Sequence, residues 1–191
     1  EEKQLMLKNL RIYETITFSL VSVIYSTTLA LIVPFVLLYT KGIHDANYDR
    51  QLFAVLLTFG GAFNCIRYHY KSIINCTGHF KETRRIAISE ALINIIVSVA
   101  VVARYGLIGV AVGTLCTMVF GTFMYSSFVS SHIVIRDRKE SYLHILLTAG
   151  IMLLVYLCSR FVLTNIDSYF KWIAAGILTV IFSLILTLSA D

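Results

Sequence analysis

Six long apolar runs divide this chain almost from end to end, and they restrict its fold more than any other feature. The runs are Ile16–Leu38, Leu52–Ile74, Ile86–Ala103, Leu107–Val129, Tyr142–Leu163 and Trp172–Ala190. A membrane-crossing helix needs about 20 apolar residues, with a range of roughly 17–25. Each run is therefore predicted to span. None shows sustained period-two alternation and all are too long for barrel strands, so strands are not expected. Composition points the same way: 58% of residues are hydrophobic and 14% charged, against about 25% charged in a soluble domain. The predicted fold is an all-α membrane protein, one lobe of six transmembrane helices.

The links between runs are short. Arg104-Tyr105-Gly106 alone separates the third and fourth, which must form a tight antiparallel hairpin. Gly42, Gly78 and Gly106 each fall just beyond a run, where a helix terminator is expected. Pro34 is the only proline; inside the first run, it predicts a kink. The link Thr40–Arg50 holds His44, Asp45 and Asp49, which read as solvated turn residues.

Basic residues set the expected orientation. Lys3, Lys8, Arg11, Lys81, Arg84, Arg85, Arg136, Arg138 and Lys139 fall on one side; Lys41, Arg50, Arg104, Arg160 and Lys171 fall on the other. The first side, richer in positive charge, is predicted to be cytoplasmic. Six crossings return both ends of the segment to it, giving a multi-pass protein of the cytoplasmic (inner) membrane. Glu1 and Asp191 read as cut ends of a longer chain. The net charge of +5 is dispersed among apolar runs rather than gathered on one face, which argues against a nucleic-acid partner. Cys65, Cys76, Cys116 and Cys158 show no metal-ligand spacing, so no metal site is expected.

The second run is unlike the others because Arg67, His69 and Lys71 interrupt it. Charges in a spanning segment are costly and mark functional positions. Asn64, Arg67, Lys71 and Asn75 recur at three- and four-residue spacings and share one helical stripe, with Tyr68 beside it. Glu90, Asn94 and Ser98 form a second stripe on the third run. With the connecting turn placed near Phe80, Lys71 falls opposite Glu90 and Arg67 opposite Asn94. The two stripes are predicted to form a polar seam with more positive than negative charge. Such a seam suits an anionic ligand, since guanidinium groups grip phosphate oxygens in pairs and lysine acts as a point charge. The competing reading is an internally neutralised network with no ligand. Arg67, Lys71, Asn64, Asn75, Glu90 and Asn94 are the candidate substrate-binding residues, and no catalytic constellation accompanies them.

Four stretches carry a family resemblance. Tyr39-Thr-Lys-Gly-Ile-His-Asp-Ala-Asn-Tyr48, Ile74-Asn-Cys-Thr-Gly-His-Phe-Lys81, Ala87-Ile-Ser-Glu-Ala-Leu-Ile-Asn94 and Arg104-Tyr-Gly-Leu-Ile-Gly-Val-Ala-Val-Gly-Thr114, in this order, resemble polysaccharide biosynthesis membrane proteins. These are lipid-linked oligosaccharide flippases of the multidrug/oligosaccharidyl-lipid/polysaccharide exporter superfamily, and the chain resembles their C-terminal half. The resemblance implies one half of a two-lobe, alternating-access transporter rather than an enzyme. It implies an anionic lipid-linked oligosaccharide as substrate and surrounding membrane lipid. It further implies a missing N-terminal lobe, or a second copy, as partner. No cofactor is implied, though coupling to a proton or sodium gradient is compatible. The alternatives are a multidrug or cation exporter lobe of the same superfamily, which would favour acidic cavity residues, and a membrane-embedded lipid-pyrophosphate transferase. The transferase would need acidic metal ligands, and Glu90 is the only carboxylate within any of the six runs.

Overall fold

The computed structural model describes residues 2–43, 45, 47–134, 136–162 and 166–190. Among them there is no strand, and six long helices follow one another: α1 (Glu2–Tyr39), α2 (Gln51–Cys76), α3 (Phe80–Tyr105), α4 (Leu107–Phe128), α5 (Arg138–Val162) and α6 (Tyr169–Ala190). A five-residue π-helical turn, Val129–Ile133, extends α4. His44, and Leu163 at the predicted end of the fifth run, lie outside the described residues.

Every predicted run lies within or ends beside a helix, but the helices are longer than the runs. The greatest difference is in α1, which begins at Glu2 rather than Ile16 and continues through Pro34 to Tyr39. Five helices are long and apolar enough to cross a membrane, which makes this a multi-pass membrane architecture. The exception is α2: its 26 residues suffice in length, but its basic cluster and asparagine dilute the apolar character.

The predicted terminators behave as such. Gly78 and Gly106 have φ of 79° and 56°, a region closed to most side chains. Gly106 alone turns α3 into α4, with no room for a longer link.

Packing explains how α2 is accommodated. The helix α4 packs along both α2 and α3, which barely touch each other; in the same way α1 packs along both α5 and α6, which touch little. Contact between α1 and α2 joins the two groups. Thus α4 is the centre of one group of helices and α1 the centre of the other. The main core lies where the groups meet, with Phe18, Val21, Ile66, Tyr70, Tyr125 and Met152 buried together. A smaller cluster of Ala30, Leu31 and Ala175 seats α6 on α1, reinforced by Trp172 Nε1 donating to the Leu31 carbonyl at 3.1 Å. Because α2 is flanked by α1 and α4, its polar residues have neighbours other than lipid.

Small residues allow α4 to sit so close to α3. Gly109, Gly113 and Gly121 recur at multiples of four on one face of α4. A Cβ at Gly109 would come within 2.5 Å of the Val102 backbone nitrogen, and one at Gly113 would overlap the Ser98 hydroxyl. The GxxxG spacing Gly109–Gly113 is thus a helix-contact device.

Candidate functional site

The two polar stripes meet, but one helical turn away from the predicted register. Arg67 Nη1 donates to Glu90 Oε2 at 2.8 Å, and Arg67 Nη2 donates to Asn64 Oδ1 at 2.7 Å. Arg67, not Lys71, is the partner of Glu90. The turn is centred on Gly78 rather than Phe80, and moving a hairpin centre by two residues shifts the opposing residue by four. Nor do α2 and α3 pair directly as the seam supposed, since α4 is wedged against both. The ion pair reaches past Gly121, where a Cβ would overlap Glu90 Oε1 and lie 2.9 Å from Arg67 Cδ.

This pair is well shielded, with side-chain exposures of 11% for Arg67 and 7% for Glu90. Each keeps one buried atom, Arg67 Nε and Glu90 Oε1, without a hydrogen-bond partner among the described residues. Arg67 is therefore neutralised locally, in keeping with the internal-network reading for this residue.

Lys71 is different. Among the described residues it has no carboxylate partner. Its Nζ lies 5.5 Å from the centre of the Tyr68 ring, whose other contact is the Arg67 guanidinium at 5.0 Å. Tyr68 is 53% exposed, so Lys71 and Tyr68 belong to the open edge of α2. The remaining candidates are dispersed. Asn75 Oδ1 accepts from Thr83 Oγ1 at 3.1 Å across the α2–α3 turn, and Asn94 Oδ1 accepts from Ser98 within α3 at 2.9 Å. Asn94 and Ser98 are half-buried, whereas Ile88, Leu92, Ile95 and Val99 make the outer face of α3 apolar. The polar stripe of α3 thus faces α4, not an open flank.

A second buried ion pair escaped the sequence reading. Both terminal nitrogens of Arg136, in the link before α5, donate to the carboxylate of Glu14 on α1, one of them at 2.6 Å; Arg136 also donates to Ser141 Oγ. The exposures are 7% and 3%. Burial alone would lower the pKa of Arg136, but the hydrogen bonds and negative charge of Glu14 outweigh it and hold it above its ordinary value. Arg136 is among the loop charges that set the expected orientation, and Glu14 falls two residues before the first apolar run. The available signal was spacing: Leu10, Glu14, Phe18 and Val21 recur at four, four and three, and all are buried. Glu14 therefore sits on the core stripe of α1, about 37 Å from Tyr39 at 1.5 Å per residue. His69, the third basic residue of α2, points to this end of the bundle: its Nδ1 is 3.1 Å from Thr17 Oγ1 and its ring stacks on Tyr13 at 4.2 Å.

No protein-family model, curated protein or solved structure matches this chain. What the site can do is thus argued from its own geometry. Among the described residues no cluster of three or more His, Cys, Asp or Glu side chains could hold a metal ion. Both buried carboxylates are engaged by arginines, leaving Lys71 as the basic residue of α2 with unspent charge.

Proposed function

We propose that this chain is one six-helix lobe of an alternating-access membrane transporter that moves an anionic lipid-linked oligosaccharide across the cytoplasmic membrane. In this reading α2 is the sixth crossing, sheltered by α1 and α4, and the nine-to-five basic asymmetry puts both ends of the segment in the cytoplasm. A second lobe, or a second copy, supplies the facing wall.

The observation that carries the reading is Lys71. Lys71 is a cation near one end of a bundle helix, and among the described residues it has no carboxylate to offset it. It stands on the open edge of α2 beside an exposed tyrosine, where an anion can reach it. Engagement of Arg67 by Glu90 narrows the anion contact to Lys71, with Asn64 and Asn75 along the same stripe.

The test is replacement of Lys71 in the cell of origin. Lys71→Gln should lower surface polysaccharide several-fold at unchanged protein level, and Lys71→Arg should retain most of it. Full surface polysaccharide with Lys71→Gln would overturn the reading.

A further inference from the structure

Two charges of opposite sign line one small cavity without meeting. It lies at the end of the bundle that carries the α1–α2 link, between α1, the start of α2 and the end of α5. Asp49 of the link and Arg160 of α5 both line it, and both are exposed. Among the described residues neither takes part in an ion pair. The Asp49 backbone is tied into a turn of its own, its N–H donating to Asn47 Oδ1 at 3.0 Å. The space between the two charges measures about 200 Å³. At roughly 30 Å³ for each water-sized group, it holds about seven non-hydrogen atoms.

The α1 wall adds an acceptor of its own. Ala30 and Pro34 both line the cavity. Pro34 has no N–H, so the Ala30 carbonyl, four residues earlier, lacks the bond that an α-helix would give it. In a membrane helix such a freed carbonyl calls for a donor from outside the helix backbone. The indole donor of Trp172 goes to the next carbonyl along, that of Leu31. The cavity therefore combines two acceptors, the Asp49 carboxylate and the Ala30 carbonyl, with one cationic donor fork on Arg160.

This combination is selective. A simple anion would meet Arg160 but be repelled by Asp49, and a simple cation would suffer the reverse. A neutral molecule would leave both charges unmatched. A primary ammonium carries three donors and no acceptor, which suits a carboxylate and a carbonyl together. A carboxylate or phosphate accepts the two-pronged guanidinium. Joined by one to three carbons, these two groups fill the available volume.

We propose that this cavity binds a small zwitterion, its primary ammonium on Asp49 and the Ala30 carbonyl and its oxyanion on Arg160. Gln51 and Tyr156, which also line the cavity, give it polar sides. The chemistry is shared by a free aminoalkyl phosphate and by the headgroup of phosphatidylethanolamine. The site is independent of Lys71 and of the transport reading above.

Native mass spectrometry of the purified chain in detergent tests this, with separate titrations of 2-aminoethyl phosphate and phosphatidylethanolamine. Ethanolamine and inorganic phosphate each carry half of the free probe; phosphatidylglycerol lacks the ammonium, and phosphatidylcholine lacks its N–H donors. The zwitterion with primary ammonium should bind most tightly in its series. Asp49→Asn and Arg160→Gln should each weaken it about tenfold, the loss of one charge-assisted contact. Pro34→Ala returns an N–H to the Ala30 carbonyl and should weaken binding about threefold with both charges in place. Lys171→Gln, outside the cavity, should change nothing. Saturable binding of 2-aminoethyl phosphate would identify a free zwitterion as the ligand; binding of phosphatidylethanolamine alone would identify the lipid headgroup. Equal binding of phosphatidylcholine or phosphatidylglycerol would overturn the site. So would a loss in only one of the two charge variants, or no saturable binding of either zwitterion.

Discussion

Arg67 on α2 and Glu90 on α3 are joined at 2.8 Å although their helices barely touch, because Gly121 of α4 leaves the space through which the two side chains meet. A buried pair of this kind is a poor source of net stability, yet removing one partner strands the other. Arg67→Met and Glu90→Leu should each lower the unfolding temperature in detergent, by a free energy of about 3–5 kcal/mol. The double variant should be less damaged than either single one. Strictly additive losses would show that the two residues do not act as a pair.

Glycines on α4 and α5 should separate by what surrounds them. Gly109→Ala should be severe, since the obstacle is the backbone of Val102 and cannot rotate away. Gly121→Ala should be intermediate, because it displaces side chains that are held in an ion pair. Gly150 has nothing within 4 Å of a Cβ, so Gly150→Ala should stabilise α5 by about 0.5–1 kcal/mol through helix propensity alone. Thermal unfolding of the three variants gives the order, and an unaffected Gly109→Ala would contradict the close α3–α4 contact.

Glu14 and Arg136 should matter far more than their exposed neighbours. Glu14→Ala leaves a buried guanidinium unpaired, with an expected loss of about 3–5 kcal/mol. Arg11 and Glu140, 3.4 Å apart but largely exposed, form the internal control: Arg11→Ala should cost no more than about 1 kcal/mol. Comparable losses at Glu14 and Arg11 would refute the burial of the first pair.

Orientation has its own measurement. In a cysteine-free background, an impermeant thiol reagent added outside the cell should label cysteines introduced at Asp45 or Asp167, and not at Lys81 or Arg138. Labelling at Lys81 from outside would exclude the six-crossing arrangement with cytoplasmic ends.

Much of the architecture could be read from the sequence because apolar length is a one-dimensional property. The runs from Leu52 and Leu107 begin within one residue of α2 and α4, and the terminators Gly42, Gly78 and Gly106 all take positive φ. The polar stripes were also legible, since Asn64, Arg67 and Glu90 do come together. Neighbourhood was not. Nothing in the spacing of α2 and α3 reveals that α4 separates them, and a two-residue error in the turn moved Glu90 from Arg67 to Lys71. Glu14 was missed for a related reason: a carboxylate just before an apolar run looks solvated until a distant arginine, 122 residues on, closes over it.

The wedging of α4 against α2 and α3, and of α1 against α5 and α6, has a consequence for the order in which the chain can assemble during synthesis. When α2 and α3 have left the ribosome, Arg67 and Glu90 have no template to align them, and the hairpin waits for Gly121 to arrive. The first helix made waits longest, because its companions α5 and α6 are the last. A nascent chain halted at Tyr105 should therefore give no cross-link between cysteines at positions 67 and 90, whereas one extended past Ile133 should give it readily. Early cross-linking at Tyr105 would mean that the α2–α3 hairpin closes unaided.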